Sequence, residues 1–189
     1  MKSAVLSGLL VLGLAVVAVA PARAAGDVPQ LGVNPSSDQL IDALTPPAGS
    51  PGLKFRGLHM MNANPGTVTT EKPAPMPAVG LDIRFELGSA RLTDGARQTI
   101  KQLAAAITSP QLAKYHFLIA GHTDSTGRKD HNLVLSRERA QAVETELVTA
   151  YGIDRSRLEA VGRGQTQPID PADPANPINR RVEVVNLGQ

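Results

Sequence analysis

The sequence contains no cysteine and no tryptophan, and its aromatic residues are only two tyrosines and three phenylalanines. Without cysteine the chain has no disulfide bond, no thiolate nucleophile and no thiolate metal ligand, so its stability must come from a packed core. For the same reason we expect no lipid anchor of the kind that is attached to an N-terminal cysteine.

The chain also has little net charge once its first segment is set aside. Lys2 and Arg23 lie within residues 1–24, which leaves 17 of the 19 basic residues against 17 acidic ones. No run of basic residues interrupts this balance. The composition therefore gives no support for nucleic acid as a partner.

The first 24 residues have the organisation of a secretory signal peptide. A positive start at Met1-Lys2 precedes an apolar run over residues 4–20, and small residues surround the predicted cleavage site after Ala24, with Ala25 as the near alternative. The other interpretation is a transmembrane anchor, which is disfavoured because about 17 apolar residues are at the lower limit for spanning a bilayer. We therefore predict export to the cell envelope.

Residues 25–79 are rich in proline and contain nine of the 15 prolines. Each proline removes a backbone donor and biases the preceding residue away from helix, so we expect a loosely ordered leader and tether. Within it, residues 36–44 begin with a capping serine and carry apolar residues at 40, 41 and 44, which predicts two turns of helix. So short a helix is marginal when isolated.

From residue 80 to residue 189 the pattern changes to that of a folded domain. Period-two alternation predicts a strand over residues 81–86, and apolar runs predict further strands over 116–120, 157–161 and 181–186. Helical periodicity predicts one helix capped by Thr93 and a second over about 132–150, with Gly152 as its C-terminal stop. The inner stripe of the second helix is predicted to be Leu133, Ala140, Val143, Leu147 and Tyr151. The order strand, helix, strand, helix, strand, loop, strand indicates an α+β fold, a two-layer sandwich with the helices on one face of a small mixed sheet.

No set of residues in the sequence predicts an enzyme or a metal centre. The spacing around His116 and His122 does not match the helical histidine pair of a zinc peptidase, and no third ligand is evident. No serine lies in a Gly-x-Ser-x-Gly context. We therefore expect no catalytic residue, no cofactor and no metal, and we interpret His122 as a structural histidine at the end of a strand.

An acid, an amide and a guanidinium are predicted to border one groove. Asp124 follows a strand in a loop bounded by glycines, and Asn132 and Arg139 lie two turns apart on one helix face, away from the core stripe. A ligand with both an ammonium and a carboxylate would fit, because Asp124 would pair with the first and Arg139 would grip the second in a bidentate contact. The alternative is that Asp124 and Arg139 simply pair with each other, and spacing alone leaves both interpretations open.

The motifs of this region resemble the OmpA-like peptidoglycan-binding domain, which is found in OmpA, in the peptidoglycan-associated lipoprotein and in the flagellar stator protein of Gram-negative bacteria. The resemblance covers about residues 80–187 and follows the family's order and spacing. The matching motifs are Phe85 with Gly88-Ser89-Ala90, the segment Gly121 to Gly127, the set Asn132, Leu135, Ser136, Arg139 and Ala140, the pair Gly162 and Gly164, and the segment Asn179 to Glu183.

The resemblance implies non-covalent binding of the peptidoglycan peptide stem through its diaminopimelate residue, whose free end is a zwitterion. It implies that Asp124 and Arg139 are the principal ligand residues. Thr123, Asn132 and Leu135 would line the pocket, and Arg181 would be a further nearby cation, whereas Gly121, Ser136 and Arg180 would be structural. It also implies a periplasmic or outer-membrane-associated protein anchored to the wall. The alternative function is an envelope assembly or adaptor protein whose leader binds an outer-membrane or other envelope partner, with wall binding secondary.

Overall fold

The computed structural model describes residues 28–47 and 76–189. The predicted signal peptide, 1–24, lies outside the described residues, as do residues 25–27 and 48–75 of the predicted leader. Within the described ranges, no helix combines the length and the apolar character needed to cross a bilayer.

The described residues form one mixed five-stranded sheet and three helices. In chain order these are β1 (Gln30–Leu31), α1 (Ser37–Leu44), β2 (Ala78–Leu81), α2 (Asp94–Thr108), β3 (His116–His122), α3 (Lys129–Tyr151), β4 (Leu158–Gly164) and β5 (Val182–Gly188). The strand order is β1-β2-β5-β3-β4. The pairs β1–β2 and β3–β4 are parallel, whereas β5 is antiparallel to both of its neighbours.

The helix boundaries follow from local chemistry. The Thr93 hydroxyl accepts a hydrogen bond from the Ala96 backbone N–H at 3.2 Å, which caps α2 as predicted. The helix α3 ends at Gly152, whose φ of 68° lies in the left-handed region that glycine adopts without steric cost. Both boundaries could be read from single residues.

One apolar core lies between the helices and the inward face of the sheet. Phe117 and Ile119 of β3 and Val182 and Val184 of β5 alternate with residues of the opposite face, as the strand period requires. Three helices cover this face, and their fully buried residues are Leu40 and Leu44 of α1, Ile100, Leu103 and Ile107 of α2, and Ala140, Val143 and Leu147 of α3. The predicted α+β sandwich with helices on one face of a mixed sheet is therefore confirmed.

Part of the predicted leader belongs to this core. Residues 37–44 form the predicted helix, but Leu40 and Leu44 are completely buried against the domain. The Asn186 side-chain amide donates a 2.8 Å hydrogen bond to the Leu44 carbonyl, and β1 adds a strand to the sheet. The expectation of a loosely ordered leader does not hold for residues 28–47, because a distant part of the chain supplies the surface that this short helix lacks when isolated.

Two details of the predicted elements are also wrong. The first strand of the domain is Ala78–Leu81, buried throughout, and the alternating residues after it form an irregular segment that includes a single bridge between Phe85 and Leu92. Leu133, predicted in the inner stripe of α3, is 49% exposed. Asn132 and Ser136 face the sheet in its place, for a reason given below.

Candidate functional site

A cleft of about 680 Å³ lies at the end of the sheet where β3 finishes. Segments that follow β1 and β2 and the segment that precedes β5 meet here, which is where ligands commonly bind in open sheets of this kind. The cleft is lined by Gln30, Leu31, Gly32, Asp82, Ile83, Arg84, Phe85, His122, Arg139, Pro177, Ile178, Arg180 and Arg181.

Asp124 lies just beyond β3 and is nearly buried, with 7% of the residue exposed. One carboxylate oxygen accepts the Thr126 backbone N–H at 3.0 Å, and the other accepts Arg180 Nη1 at 2.7 Å. Burial alone would raise the pKa of the Asp124 carboxyl, but the hydrogen bonds from Arg180 and Thr126 outweigh it and hold that pKa below its usual range. Asp124 is therefore a carboxylate at neutral pH.

Two glycines allow α3 to lie directly on the sheet beside this loop. A β-carbon on Gly121 would be 2.0 Å from the Ser136 carbonyl oxygen, and one on Gly162 would be 2.7 Å from the Leu133 carbonyl oxygen. The Ser136 hydroxyl donates to Leu133 O and accepts the Gly164 backbone N–H at 2.9 Å. This close approach explains why small and polar residues of α3 face the sheet, and it fixes the position of the helix that carries Arg139.

Arg139 reaches from α3 into the cleft. Its guanidinium carbon lies 4.9 Å from the centroid of the Phe85 ring, and its Nε donates to the Ser89 carbonyl at 3.0 Å. Burial lowers the pKa of Arg139, as does repulsion by Arg180, whereas attraction by Asp124 opposes both. Among the described residues no carboxylate forms an ion pair with Arg139; Asp124 pairs with Arg180 instead. Of the two interpretations that spacing left open, the direct Asp124–Arg139 pair is not formed.

The predicted pocket residues Thr123, Asn132 and Leu135 are buried and do not line the cleft. Asp124 does not line it directly either, but it is joined to the cleft by its ion pair with Arg180, which does. The Asn132 amide donates to the carbonyl oxygens of Asp124 and Thr126 at 3.2 and 3.0 Å, and to the Gln165 side chain at 2.9 Å. Asn132 thus shapes the loop that presents Asp124, and Thr123 fixes the same loop through its N–H to Gly164 O.

The two adjacent arginines that precede β5 have different surroundings. Arg181 is 4% exposed, donates to the carbonyls of Gln167 and Asn179, and lies 3.6 Å from a Glu183 carboxylate oxygen. The Arg180 side chain is half exposed and forms the ion pair with Asp124. Both line the cleft, so Arg181 is a nearby cation as expected. However, Arg180, interpreted as structural from the sequence, makes the direct contact with Asp124.

His122 is buried at the end of β3, with its Nε2 3.3 Å from a Glu183 carboxylate oxygen. Burial lowers the pKa of this imidazole, and the nearby Glu183 carboxylate opposes the shift only in part. The described part of the chain holds no cluster of three or more histidine, aspartate or glutamate side chains that could bind a metal ion.

Comparisons with known proteins place this site in a family. A family model described as the OmpA family matches residues 84–181. The chain is 37% identical over 112 residues to "Outer membrane porin F" of Pseudomonas aeruginosa, covering 58% of this chain and 31% of that protein. It is 29% identical to "Peptidoglycan-associated lipoprotein" of Brucella melitensis, covering 48% of this chain and 52% of that protein.

A solved structure agrees with these matches. The periplasmic domain of Helicobacter pylori MotB superimposes with a TM-score of 0.50 at 25% identity, covering 59% of this chain and 82% of that one. The curated relatives named above are outer-membrane and lipoprotein components, and this chain spans less than two thirds of their length. The family model covers more than half of the chain and all the cleft residues from Arg84 to Arg181, and the chain therefore belongs to the OmpA family.

Proposed function

We propose that this protein binds the peptide stem of peptidoglycan non-covalently in the periplasm, and so anchors itself or an envelope complex to the wall. The name of the Brucella melitensis relative supports this ligand, since that protein is peptidoglycan-associated. Binding needs no bond to be made or broken, so the proposal gives the cleft no catalytic step.

The observation that carries the proposal is the state of Arg139. Its ring stack on Phe85 and its Nε bond to Ser89 hold the guanidinium in one place, and no carboxylate of the described residues neutralises it. A fixed, partly desolvated guanidinium is suited to a bidentate carboxylate ligand. We infer that the carboxylate at the free end of diaminopimelate occupies this position.

Asp124 would receive the ammonium of the same zwitterion. Its carboxylate is ionised and lies close enough to Arg139 for its charge to oppose the lowering of the Arg139 pKa. Arg180 pairs with Asp124 in the free protein. Because half of the Arg180 side chain is exposed, the ion pair can be replaced by a ligand ammonium at a small cost in free energy. In this mechanism Asn132 and Thr123 position the loop, and Arg181 adds positive charge; Leu135 is buried on α3 and is proposed only as part of the surrounding structure.

The alternative role, an adaptor that binds an envelope partner through its leader, receives less support. The apolar residues of α1 are buried in the domain itself and are not presented to a partner. A partner contact of this kind would depend on residues 48–75, which lie outside the described residues.

The test is co-sedimentation with purified sacculi that contain diaminopimelate. Asp124→Asn keeps an oxygen for the Thr126 N–H but removes the charge, and we expect binding to fall about tenfold or more. Asp130→Asn is the matched control, because Asp130 is exposed in the first turn of α3, whereas Asp124 is buried and paired with Arg180. Full binding by Asp124→Asn, or absence of binding by the unmodified protein, would refute the proposal.

A further inference from the structure

The segment before the family match takes part in the same cleft. β1 pairs in parallel with β2, with Gln30 opposite Gly80 and Leu31 opposite Leu81, and the Gly80 N–H donates to the Pro29 carbonyl at 2.9 Å. The Gln30 side chain lies over Gly80 so closely that a β-carbon there would be 2.1 Å from Gln30 Oε1. The strand is therefore seated on β2 by both backbone and side-chain contacts.

The rest of the segment keeps this strand in place. The Thr99 hydroxyl of α2 donates to the Asn34 side-chain oxygen at 3.2 Å. Leu40 and Leu44 are completely buried, and the bond from Asn186 to the Leu44 carbonyl is itself buried. Removing these two leucine side chains from water stabilises the attachment of the segment to the domain. β1 is thus a permanent part of the sheet.

Gln30, Leu31 and Gly32 line the cleft together with Phe85, Arg139 and Arg180. The zwitterion held by Asp124 and Arg139 is only one end of one residue, whereas a cleft of about 680 Å³ has the size of sites that bind ligands of several such units. Space beside the zwitterion is therefore left for the remainder of the ligand, and β1 borders that space.

We propose that residues 28–47 form one side of the ligand cleft, and that Gln30–Gly32 contact the part of the stem peptide that adjoins diaminopimelate. This inference rests on the proposed function and adds to it a second contact region, which lies outside the matched residues 84–181. The segment then sets preference for a whole stem over free diaminopimelate.

Gly32 offers a direct test. A β-carbon on Gly32 would meet no heavy atom within 4 Å beyond its chain neighbours, and the residue is exposed, so a longer side chain can enter the cleft without disturbing the fold. Gly95, at the start of α2, is equally open but does not line the cleft. The pair Gly32→Glu and Gly95→Glu therefore adds the same group inside and outside the proposed contact region.

The experiment is calorimetry with two probes, free meso-diaminopimelate and a stem tripeptide that ends in it. We expect Gly32→Glu to weaken tripeptide binding about tenfold, since it adds bulk and a carboxylate beside an anionic peptide, and to change binding of the free amino acid less than about twofold. Gly32→Gln, which adds only bulk, should show a smaller loss with the same selectivity, and Gly95→Glu should bind both probes normally.

The outcomes separate the two proposals. Unchanged tripeptide binding by Gly32→Glu and Gly32→Gln, or equal losses on both probes, would overturn the proposed contact with residues 28–47. Either result would leave the proposed binding of peptidoglycan by Asp124 and Arg139 intact. Absence of binding of either probe to the unmodified protein would overturn both proposals. Thermal unfolding of each variant checks that the comparison is made between folded proteins.

Discussion

The two ends of the sheet each carry a partly buried arginine over a phenylalanine ring. At the end where β4 begins, the Arg157 guanidinium carbon lies 5.9 Å from the Phe117 centroid. At the end with the cleft, the Arg139 guanidinium carbon lies 4.9 Å from the centroid of the Phe85 ring. Judged by burial and stacking alone, the two side chains are alike.

Their hydrogen bonds are different. Arg157 donates from Nε to the Tyr115 carbonyl and from Nη2 to the carbonyls of Ile107 and Leu112, all at 3.0–3.1 Å. It therefore ties the end of α2 and the loop before β3 to the turn that precedes β4. Within residues 28–47 and 76–189, Arg139 donates from Nε alone, to Ser89. A guanidinium has five donors, so Arg139 retains more bonding capacity for a ligand. Unused donors, and not burial, distinguish a ligand arginine from a structural one here.

The largest expected effect is on ligand binding at Arg139. Arg139→Ala should weaken binding to diaminopimelate-type sacculi by about 2–5 kcal/mol, because it removes a charged bidentate contact. Arg139→Lys should restore little, since an ammonium does not reproduce the planar fork. Sedimentation of the variants with sacculi measures this.

The same assay on Arg157→Ala is the control that completes the comparison. Once folded, Arg157→Ala should bind like the unmodified protein, because its guanidinium lies away from the cleft. Equal binding losses in the two alanine variants would mean that free donors do not identify the ligand arginine.

The second expected effect is on stability, where Arg157→Ala should have a larger effect than Arg139→Ala. Arg157→Ala removes the side-chain hydrogen bonds to three backbone carbonyls and should lower the free energy of unfolding by about 1–3 kcal/mol. Arg139→Ala removes one such hydrogen bond, to the Ser89 carbonyl, and should lower the free energy of unfolding by less. Urea unfolding of both variants measures the two free energies, and a larger loss for Arg139→Ala would reverse our assignment of roles.

The third prediction concerns the choice of ligand. A lysine-type stem keeps the side-chain ammonium but lacks the second carboxylate, so Arg139 stays unpaired in the cleft. That costs about 1–3 kcal/mol, or roughly tenfold to a hundredfold in affinity. Calorimetry with both stem peptides tests it. Equal affinities would show that Arg139 does not recognise the carboxylate.

Sequence patterns predicted the regular elements because these depend on local chemistry. The cap at Thr93 and the stop at Gly152 are single-residue signals. The orientation of the first half of α3 could not be obtained in this way. Leu133 is exposed there, since Gly121 and Gly162 allow the face that carries Ser136 to lie on the sheet.

The ion pair of Asp124 was also beyond sequence reasoning. Arg180 and Arg181 are neighbours with the same chemistry, and only the tertiary structure shows which of them is buried beside Glu183. Similarly, the proline content of the leader gave no sign that Leu40 and Leu44 would be covered, because the partner at Asn186 is 142 residues away from Leu44.

The smallest expected effect is a pH dependence at the cleft end of the sheet, where His122 is buried. The charged groups around it are Glu183 and Arg181, on the β5 side, and Arg163 of β4. Burial and the two arginines lower the pKa of His122, whereas Glu183 raises it, and the net shift is downward. The unfolded chain therefore takes up this proton at about pH 6.5, the ordinary histidine value, while the folded protein does not. Stability from this group is complete above that pH, falls as pH drops below it, and stops falling once pH passes the lower folded pKa.

Urea midpoints measured at pH 7.5 and at pH 5.5 test this pH dependence of His122. The two midpoints should differ for the unmodified protein and for His131→Gln, a control on the exposed face of α3, and should differ less for His122→Gln. Asp154, near the opposite end of the sheet, should contribute no change in this window, because its lowered pKa moves its contribution to more acid pH. An equal pH dependence in all three proteins would show that the cleft end carries no titrating group of this kind.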